Sequence, residues 1–527
     1  LELMQSAAVM GQTMPNWLFE RVTGHSAADP LVQALAEQDL IYPGEQAGTL
    51  RFKHGITRDV VYDGVGLRER TRLHLVTAHA LAAHSSDMAT TGAEACEALA
   101  YHFAAAGQPQ QAATYAEAAG DRAVFASALD RAKTQYRAAL LALGHMGASP
   151  TVAKRWAAIS QRLGLASVFD PSHDELPLFE RAVDLAQAGG DASAMARANY
   201  WLGYMHYALG TAPAALRHLD EARRQARLSD DARLSVQIEA TLGQALASAG
   251  RYAEAQDLLD AAIAIKRRHR SGAGNAVGLT YSLACKGYAL GDQGDFEGAQ
   301  ACFDEALNDT GCDQPEVIGS VRGWYGAVRL WQGRYDDAVQ LASEAWREGD
   351  RVRSLHLMAM GRAVAGCARW CRDGDPQGLE DLREAVGWLS RRGNSLFSSL
   401  NHGWLADALA STGDAQGARW HAAQALRRAR RSDMLGASQA CRTMCQQAAH
   451  AGQSVKAERW LDASRHWAGL RASRREEAEN TLCAAELALS QDHPEQARPL
   501  LYKAAAAFTA MGMRAQRARA EALLQSA

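Results

Sequence analysis

The stretch Glu239-Ala-Thr-Leu-Gly-Gln-Ala-Leu-Ala-Ser-Ala-Gly250, followed by Arg251-Tyr-Ala-Glu-Ala-Gln-Asp-Leu-Leu-Asp-Ala-Ala262, decides how the chain is read. It is a run of helix formers, a glycine, and a second run of helix formers. Gly250 predicts the end of one helix, because glycine enters the left-handed turn conformation without steric cost. The small side chains at Gly243 and Ala255 predict two helices in close approach.

The same text recurs along the chain. Taking Ala255 as reference, small residues stand at Ala215, Ala255, Ala299, Ala338, Gly378, Ala418, Ala457 and Ala497, a spacing near 40. Five positions earlier stand Gly210, Gly250, Gly294, Gly333, Asp373, Gly413, Gly452 and Asp492. Twelve earlier stand Gly203, Gly243, Gly287, Gly326, Gly366, Ala406, Cys445 and Ala485. Four later the column is Leu219, Leu259, Phe303, Ala342, Leu382, Ala422, Leu461 and Leu501, and seven later it is mostly Ala. The last two columns share a face of the second helix and are expected to pack on the next unit. Registers that agree this widely predict about eight helix–turn–helix units over 191–527. Residues 91–190 read as less regular helical repeats, and 1–90 as a different module. The fold class expected is all-α, a right-handed superhelix of repeats behind an N-terminal winged-helix module.

Composition limits function. With 56 Lys+Arg against 59 Asp+Glu, the net charge of −3 gives no support to direct nucleic-acid binding. Residues 1–90 carry seven basic and ten acidic residues, which weakens that role for a winged helix too. No apolar stretch is long enough to span a membrane, and no secretory signal is visible. The nine cysteines, an odd number, then fit reduced thiols in a cytoplasmic protein.

In the first ninety residues, Asp29–Pro30 predicts a helix start. Helices are expected near 1–10, 15–22 and 29–40, then a turn at 41–48, a short strand at 49–53 and a helix from His54.

The repeat order resembles the tetratricopeptide repeat, with a longer period than usual. Leu3-Met-Gln-Ser-Ala-Ala-Val-Met-Gly11 and Leu50-Arg-Phe-Lys-His-Gly-Ile-Thr-Arg-Asp-Val-Val-Tyr62, with Arg70, Leu73 and His74 after them, are similar to segments that follow the ATPase module of bacterial STAND signalling proteins. Relatives of that kind include maltose-activator-like transcriptional regulators and adenylyl cyclases fused to an ATPase and a repeat array. The resemblance implies the sensor half of such a protein. It implies ATP or ADP as cofactor of the parent and none in this chain, which holds no Gly-x-x-x-x-Gly-Lys-[Ser/Thr] run. It implies that His54, with Arg58, senses the nucleotide phosphate. The alternative for both is that they hold the winged helix together.

The resemblance also places first-helix side chains on a concave groove. Tyr200, Tyr204, Tyr207, Tyr281, Tyr288, Trp331 and Trp370 are the groove candidates, since Tyr and Trp combine contact area with a polar handle. Packing between repeats is the equal alternative. A protein or small-molecule inducer is the expected partner, and oligomerisation a further expectation. A passive interaction scaffold and the regulatory half of a class III cyclase are the rival functions. Cys367 and Cys371, like Cys441 and Cys445, share helix faces and read as core; no metal site is expected. The basic runs 266–270 and 427–431 read as cations at helix C-termini.

Overall fold

The computed structural model describes every residue except 85–91, 127, 169, 230, 269–272, 392–396 and 527, and leaves the side chains of 273–275 aside. It is almost wholly helical and falls into two units, residues 1–167 with 177–189 and residues 168–176 with 190–527.

The first unit opens with α1 (Glu2–Met10), β1 (Thr13–Pro15), α2 (Asn16–Thr23), α3 (Pro30–Glu37), β2 (Ile41–Pro43) and β3 (Thr49–Phe52). The sheet order is β1–β3–β2, antiparallel throughout, with Met14 opposite Leu50 and Ile41 opposite Phe52. Asp29 caps α3 by accepting from the Leu31 N–H, with Pro30 in the first turn. Met14, Phe19, Ile41, Leu50 and Phe52 are buried together with Ala7 and Ala8 of α1. Two elements differ from expectation. Thr13–Pro15 was not foreseen as a strand, and part of the expected turn at 41–48 is strand β2. Both are three residues long and end in proline, so neither carries a period-2 pattern.

There follow α4 (Gly55–Asp63), α5 (Leu67–His84), α6 (Ala93–Ala105), α7 (Pro109–Phe125), α8 (Leu129–Gly144), α9 (Pro150–Ala166) and α10 (Leu176–Gly189). A short 3₁₀ turn, His173–Glu175, precedes α10. Ser172 and Glu175 make a reciprocal cap there.

Among the described residues the second unit holds, besides that 3₁₀ turn, eight helix pairs and a final helix. The pairs are α11 (Ala192–Ala208) with α12 (Ala212–Ala226), α13 (Ala232–Ser248) with α14 (Tyr252–Arg268), α15 (Ala273–Asp292) with α16 (Phe296–Asn308), and α17 (Pro315–Trp331) with α18 (Tyr335–Arg351). They continue as α19 (Leu355–Asp373) with α20 (Pro376–Arg391), α21 (Ser398–Ser411) with α22 (Ala415–Ala429), α23 (Ala437–His450) with α24 (Ser454–Leu470), and α25 (Arg474–Ser490) with α26 (Pro494–Ala510); α27 (Arg514–Ser526) ends the array. These are tetratricopeptide-like helical repeats.

Each sequence column has a physical job. Gly210, Gly250, Gly294, Gly333, Gly413 and Gly452 all take positive φ, from 68° to 86°. In the fifth repeat the left-handed residue is Gly374, one place after Asp373; in the eighth, Asp492 itself takes φ 63°. The column twelve earlier is small because the second helix leans on it. A Cβ at Gly203 would stand 2.8 Å from Leu219, and one at Gly287 would stand 2.8 Å from Phe303. The +4 side chain therefore fills the space over its own repeat's first helix, where the sequence pattern pointed to the next unit.

The array also closes on itself. The turn of the second repeat, Gly250, meets Arg471 between the seventh and eighth; the turn of the third, Gly294, meets Met511; that of the fourth, Gly333, meets Ala515 and Gln516. Repeats five apart thus touch. At the centre of this seam lies a buried charge cluster. Asp292 accepts from Arg471 Nε (2.8 Å), Arg475 Nη2 (2.8 Å) and the Tyr252 hydroxyl (2.9 Å). Ser473 donates to the Asp292 carbonyl at 2.6 Å, and Glu476 pairs with Arg475 and Arg442. Burial opposes ionisation of Asp292, but the two guanidiniums outweigh it and hold the carboxyl well below its ordinary range.

Candidate functional site

A pocket lies between α15, α17, α19 and α21. Tyr288, Trp324, Trp331, Met360, Phe397 and Trp404 are among its lining, around an accessible cavity volume of about 80 Å³. The rings hold one another edge-on. Tyr288 stands 5.2 Å from Phe397 and 6.0 Å from Trp324, and Trp324 stands 5.8 Å from Phe397. Edge-to-face contacts of this kind fix ring orientation as well as burying area. Phe397 takes φ 60° to reach its place, a conformation that bulky residues avoid.

Two buried donors of these side chains have no hydrogen-bond partner among the described residues: the Tyr288 hydroxyl and Trp331 Nε1. Tyr288 is 2% exposed and Trp331 6%. Burial drives the Tyr288 phenol far above its ordinary pKa, so it is a neutral donor. Among the described residues that line the cavity none is Asp, Glu, Lys or Arg; Ser320, His356, Ser398 and Asn401 are its polar side chains.

The pocket touches the seam. The Arg475 guanidinium lies 4.6 Å over the Trp331 ring. Leu435, in the pocket wall, follows Met434, whose carbonyl accepts from Arg471 at 2.6 Å. Tyr288 is one helical turn from Asp292 on α15.

The groove candidates divide. Tyr288 and Trp331 line the pocket, and Tyr281 joins it through Trp324 at 5.7 Å. Tyr200 and Tyr207 are buried between repeats: the Tyr200 hydroxyl accepts from Gln237 at 2.9 Å, and that of Tyr207 lies 3.9 Å from Cys285 Sγ. Tyr204 is half-buried between them, 6.1 Å from Tyr207. Trp370 is half-buried away from the pocket lining, so the structure does not bring it to the others. Trp324, Trp404 and Phe397 escaped the sequence reading. A signal existed for the tryptophans: Trp201, Trp324 and Trp404 each stand two residues before the small column of their first helix. Phe397 lies outside any column.

In the first unit, His54 is exposed and occupies the N-cap of α4 without capping it through its side chain. Arg58 donates to the Ala8 carbonyl at 2.9 Å, pairs with Asp59 and lies 4.7 Å over the Tyr62 ring. Arg70 covers the same ring at 4.3 Å and binds the Tyr62 carbonyl, while His74 meets the Tyr62 hydroxyl at 3.0 Å. The segment 50–74 is thus knit by its own side chains. Its outer face leaves Ile56, Val60 and Leu67 66–80% exposed.

The remaining motifs are structural. Cys367 Sγ lies 4.0 Å from that of Cys371; Cys367, Cys441 and Cys445 are buried, but Cys371 is exposed and so is not core. Among the described residues no cluster of three metal ligands occurs, and no helix is long and apolar enough to cross a membrane. Arg267 of the first basic run pairs with Glu305, while His269 and Arg270 lie outside the described residues.

No family model matches the chain, and no curated protein matches it. Solved structures resemble it remotely. One is a signal transduction ATPase with numerous domains carrying a tetratricopeptide repeat sensor, from Pyrococcus horikoshii (13% identity, 88% of this chain and 62% of that one, TM-score 0.39). Another is the Rap conjugation gene regulator of plasmid pLS20 in complex with the Phr* peptide (11% identity, 66% and 92%, TM-score 0.46). A third is a Rap protein complexed with competence and sporulation factor (9% identity, 76% and 98%, TM-score 0.39). At these identities and scores no family is assigned.

Proposed function

We propose that the chain is the sensing half of a cytoplasmic signal-transduction protein of the STAND kind. In this reading it takes a ligand or protein partner in the groove of its repeats and carries no catalytic activity itself. The single observation behind it is the shared wall of pocket and seam. Trp331 and Leu435 line the pocket, and Trp331 and Met434 hold Arg475 and Arg471. A ligand that shifts those walls acts on the contact that closes the array, so its binding energy has a two-state element to bias.

The helix–strand–helix–helix–strand–strand start of the first unit is read as a winged-helix module. His54, Ile56, Val60 and Leu67 supply a face for docking on a nucleotide-binding module, which would hold ATP or ADP. Arg58, already bonded to the Ala8 carbonyl, is read as holding the module together and not as a nucleotide sensor.

The test is the natural reading frame around Leu1. A phosphate-cradling loop and an acidic metal-binding strand encoded upstream support the switch. A start codon immediately before Leu1 overturns it and leaves a repeat scaffold.

A further inference from the structure

The walls of the pocket define its guest, given the reading of the groove as a ligand face. Its accessible volume of about 80 Å³ corresponds to roughly five to eight water-sized atoms. The ring planes of Tyr288, Trp324 and Phe397 cross one another at 80–82°, with centroids 5.2–6.0 Å apart. A flat ring set parallel to one of the three therefore stands edge-on to the other two, and both arrangements are favoured between aromatic rings. Met360 adds a thioether to the same wall, a further good neighbour for a ring. Phe397 is held at φ 60° in completing this corner, a backbone strain kept at the site.

The polar side chains of the wall are unequal. Ser320 donates its hydroxyl proton to the Glu316 carbonyl at 2.8 Å, and His356 is engaged by a neighbour. The Tyr288 hydroxyl and Trp331 Nε1 are sealed in, out of a guest's reach. Asn401 is different. Its backbone N–H donates to the Phe397 carbonyl at 3.3 Å, but its carboxamide has no partner among the described residues, and the residue is only half-buried. Ser398, three residues earlier on the same face of α21, lines the cavity beside it. A carboxamide presents an acceptor and a donor side by side. The group that meets both at once is an adjacent donor and acceptor pair, as when Asn reads the edge of adenine. The described lining offers no charged side chain to compensate a carboxylate or an ammonium, so a neutral guest is favoured.

We infer that the pocket binds a small neutral heteroaromatic lactam, a flat ring of about five to eight non-hydrogen atoms whose adjacent N–H and C=O pair with the Asn401 carboxamide while the ring sits in the corner of Tyr288, Trp324 and Phe397. An apolar ring of the same size fills the corner but strips water from Asn401 and returns no hydrogen bond, which costs affinity. A ring with an acceptor alone answers only half of the carboxamide.

The full chain labelled with 5-fluorotryptophan is titrated with 2-pyridone, pyridine N-oxide and toluene. The three are flat rings of equal size and differ in carrying a donor–acceptor pair, an acceptor alone or neither. Trp324→Phe assigns the reporting resonance. 2-Pyridone is expected to shift the Trp324 signal with an affinity about tenfold above that of toluene, the worth of one to two buried hydrogen bonds, and pyridine N-oxide to fall between them. Asn401→Leu keeps the side-chain volume and removes the amide; it should bring 2-pyridone down to the affinity of toluene, whose continued binding shows that the pocket is intact. Met360→Trp should fill the pocket and abolish all three shifts. Equal affinities for the three rings, a 2-pyridone advantage that survives Asn401→Leu, or no 2-pyridone shift at all overturns the inference. So does tighter binding of N-acetylphenylalaninamide than of 2-pyridone, which would make the pocket a site for a peptide side chain. The reading frame around Leu1 decides the switch independently, so either idea can fail while the other stands.

Discussion

Gly250 and Gly413 hold the same place in their repeats and take nearly the same backbone, φ 71° and 85°. Around Gly413 nothing lies where a Cβ would go, whereas at Gly250 that Cβ would stand 2.9 Å from both Cγ and Cδ of Arg471. The repeat thus writes one local turn eight times, and the fold uses it in two ways. In repeats two to four the turn is a docking surface for the next rung of the array. In repeats six and seven it is only a turn. What separates them is a handful of residues outside the columns: Asp292, Arg471, Ser473 and Arg475.

The sharpest way to break this difference is to open the seam. Arg471→Met leaves Asp292 buried beside Arg475 with one guanidinium gone. Removing one partner of a buried pair costs about 3–5 kcal/mol. The urea midpoint should fall accordingly, and the radius of gyration by solution scattering should rise as the rungs part. A midpoint within experimental error of the parent would mean that apolar contacts around Met511 and Ala515 close the array unaided.

A smaller effect isolates the two turns. Gly413→Ala should cost about 1 kcal/mol, the price of a left-handed alanine. Gly250→Ala should cost that plus the displacement of Arg471, about 3 kcal/mol in all. Equal losses in the two variants, measured in parallel denaturation curves, would erase the distinction.

That distinction also marks what could be read beforehand. The turn column was legible because a left-handed residue is needed at each helix end, and eight repeats print the need eight times. The small column was legible because Leu219 or Phe303 must sit on it. The seam was not, because Asp292 and Arg471 are 179 residues apart and Asp292 does not recur in its column. The pocket was half legible. Tyr288 and Trp331 stood out as aromatic first-helix residues, but Trp324 and Trp404 occupy a position two before the small column that only some repeats fill with tryptophan. Phe397 could not be found, since it reaches the wall from a loop by an uncommon φ. Strands β1 and β2 are too short for a pattern.

Acid should separate the regions in order. His402 and His421 face each other at 2.9 Å between α21 and α22, far from the seam residues in sequence. Burial, reinforced by positively charged or histidine neighbours, pushes His402 down to about 3 and His421 to about 4. In the first unit His74 and His102 form a like pair at 2.9 Å, pushed down to about 4 and about 3. Each is neutral when folded. Between pH 6.5 and the folded value the unfolded chain binds the extra proton, so stability is complete above 6.5 and falls as the pH drops towards 4. His402 alone should cost about 2 kcal/mol at pH 5. Asp292, held low by its guanidiniums, loses its contribution only below about pH 4. Denaturation curves at pH 7, 5 and 3.5 should show both steps, and His402→Gln should shrink the first by about 2 kcal/mol at pH 5 while leaving the second.

The smallest expected effect concerns the eighth turn, where Asp492 stands in the glycine column and takes φ 63°. Asp tolerates the left-handed region better than most residues, but at some cost. Its turn is exposed, as Gly413's is open, so nothing from another rung should respond to a change there. Asp492→Gly relieves the backbone and enlarges the entropy of the unfolded chain, two effects of opposite sign. The relief should win by about 0.5 kcal/mol, because the conformation is imposed by the helix pair and not by a side-chain bond of Asp492. A stabilised variant with an unchanged radius of gyration would place the eighth turn with those of repeats six and seven. A destabilised one would show that the carboxylate itself supports the turn, and the column would then have to be read as two chemistries and not one.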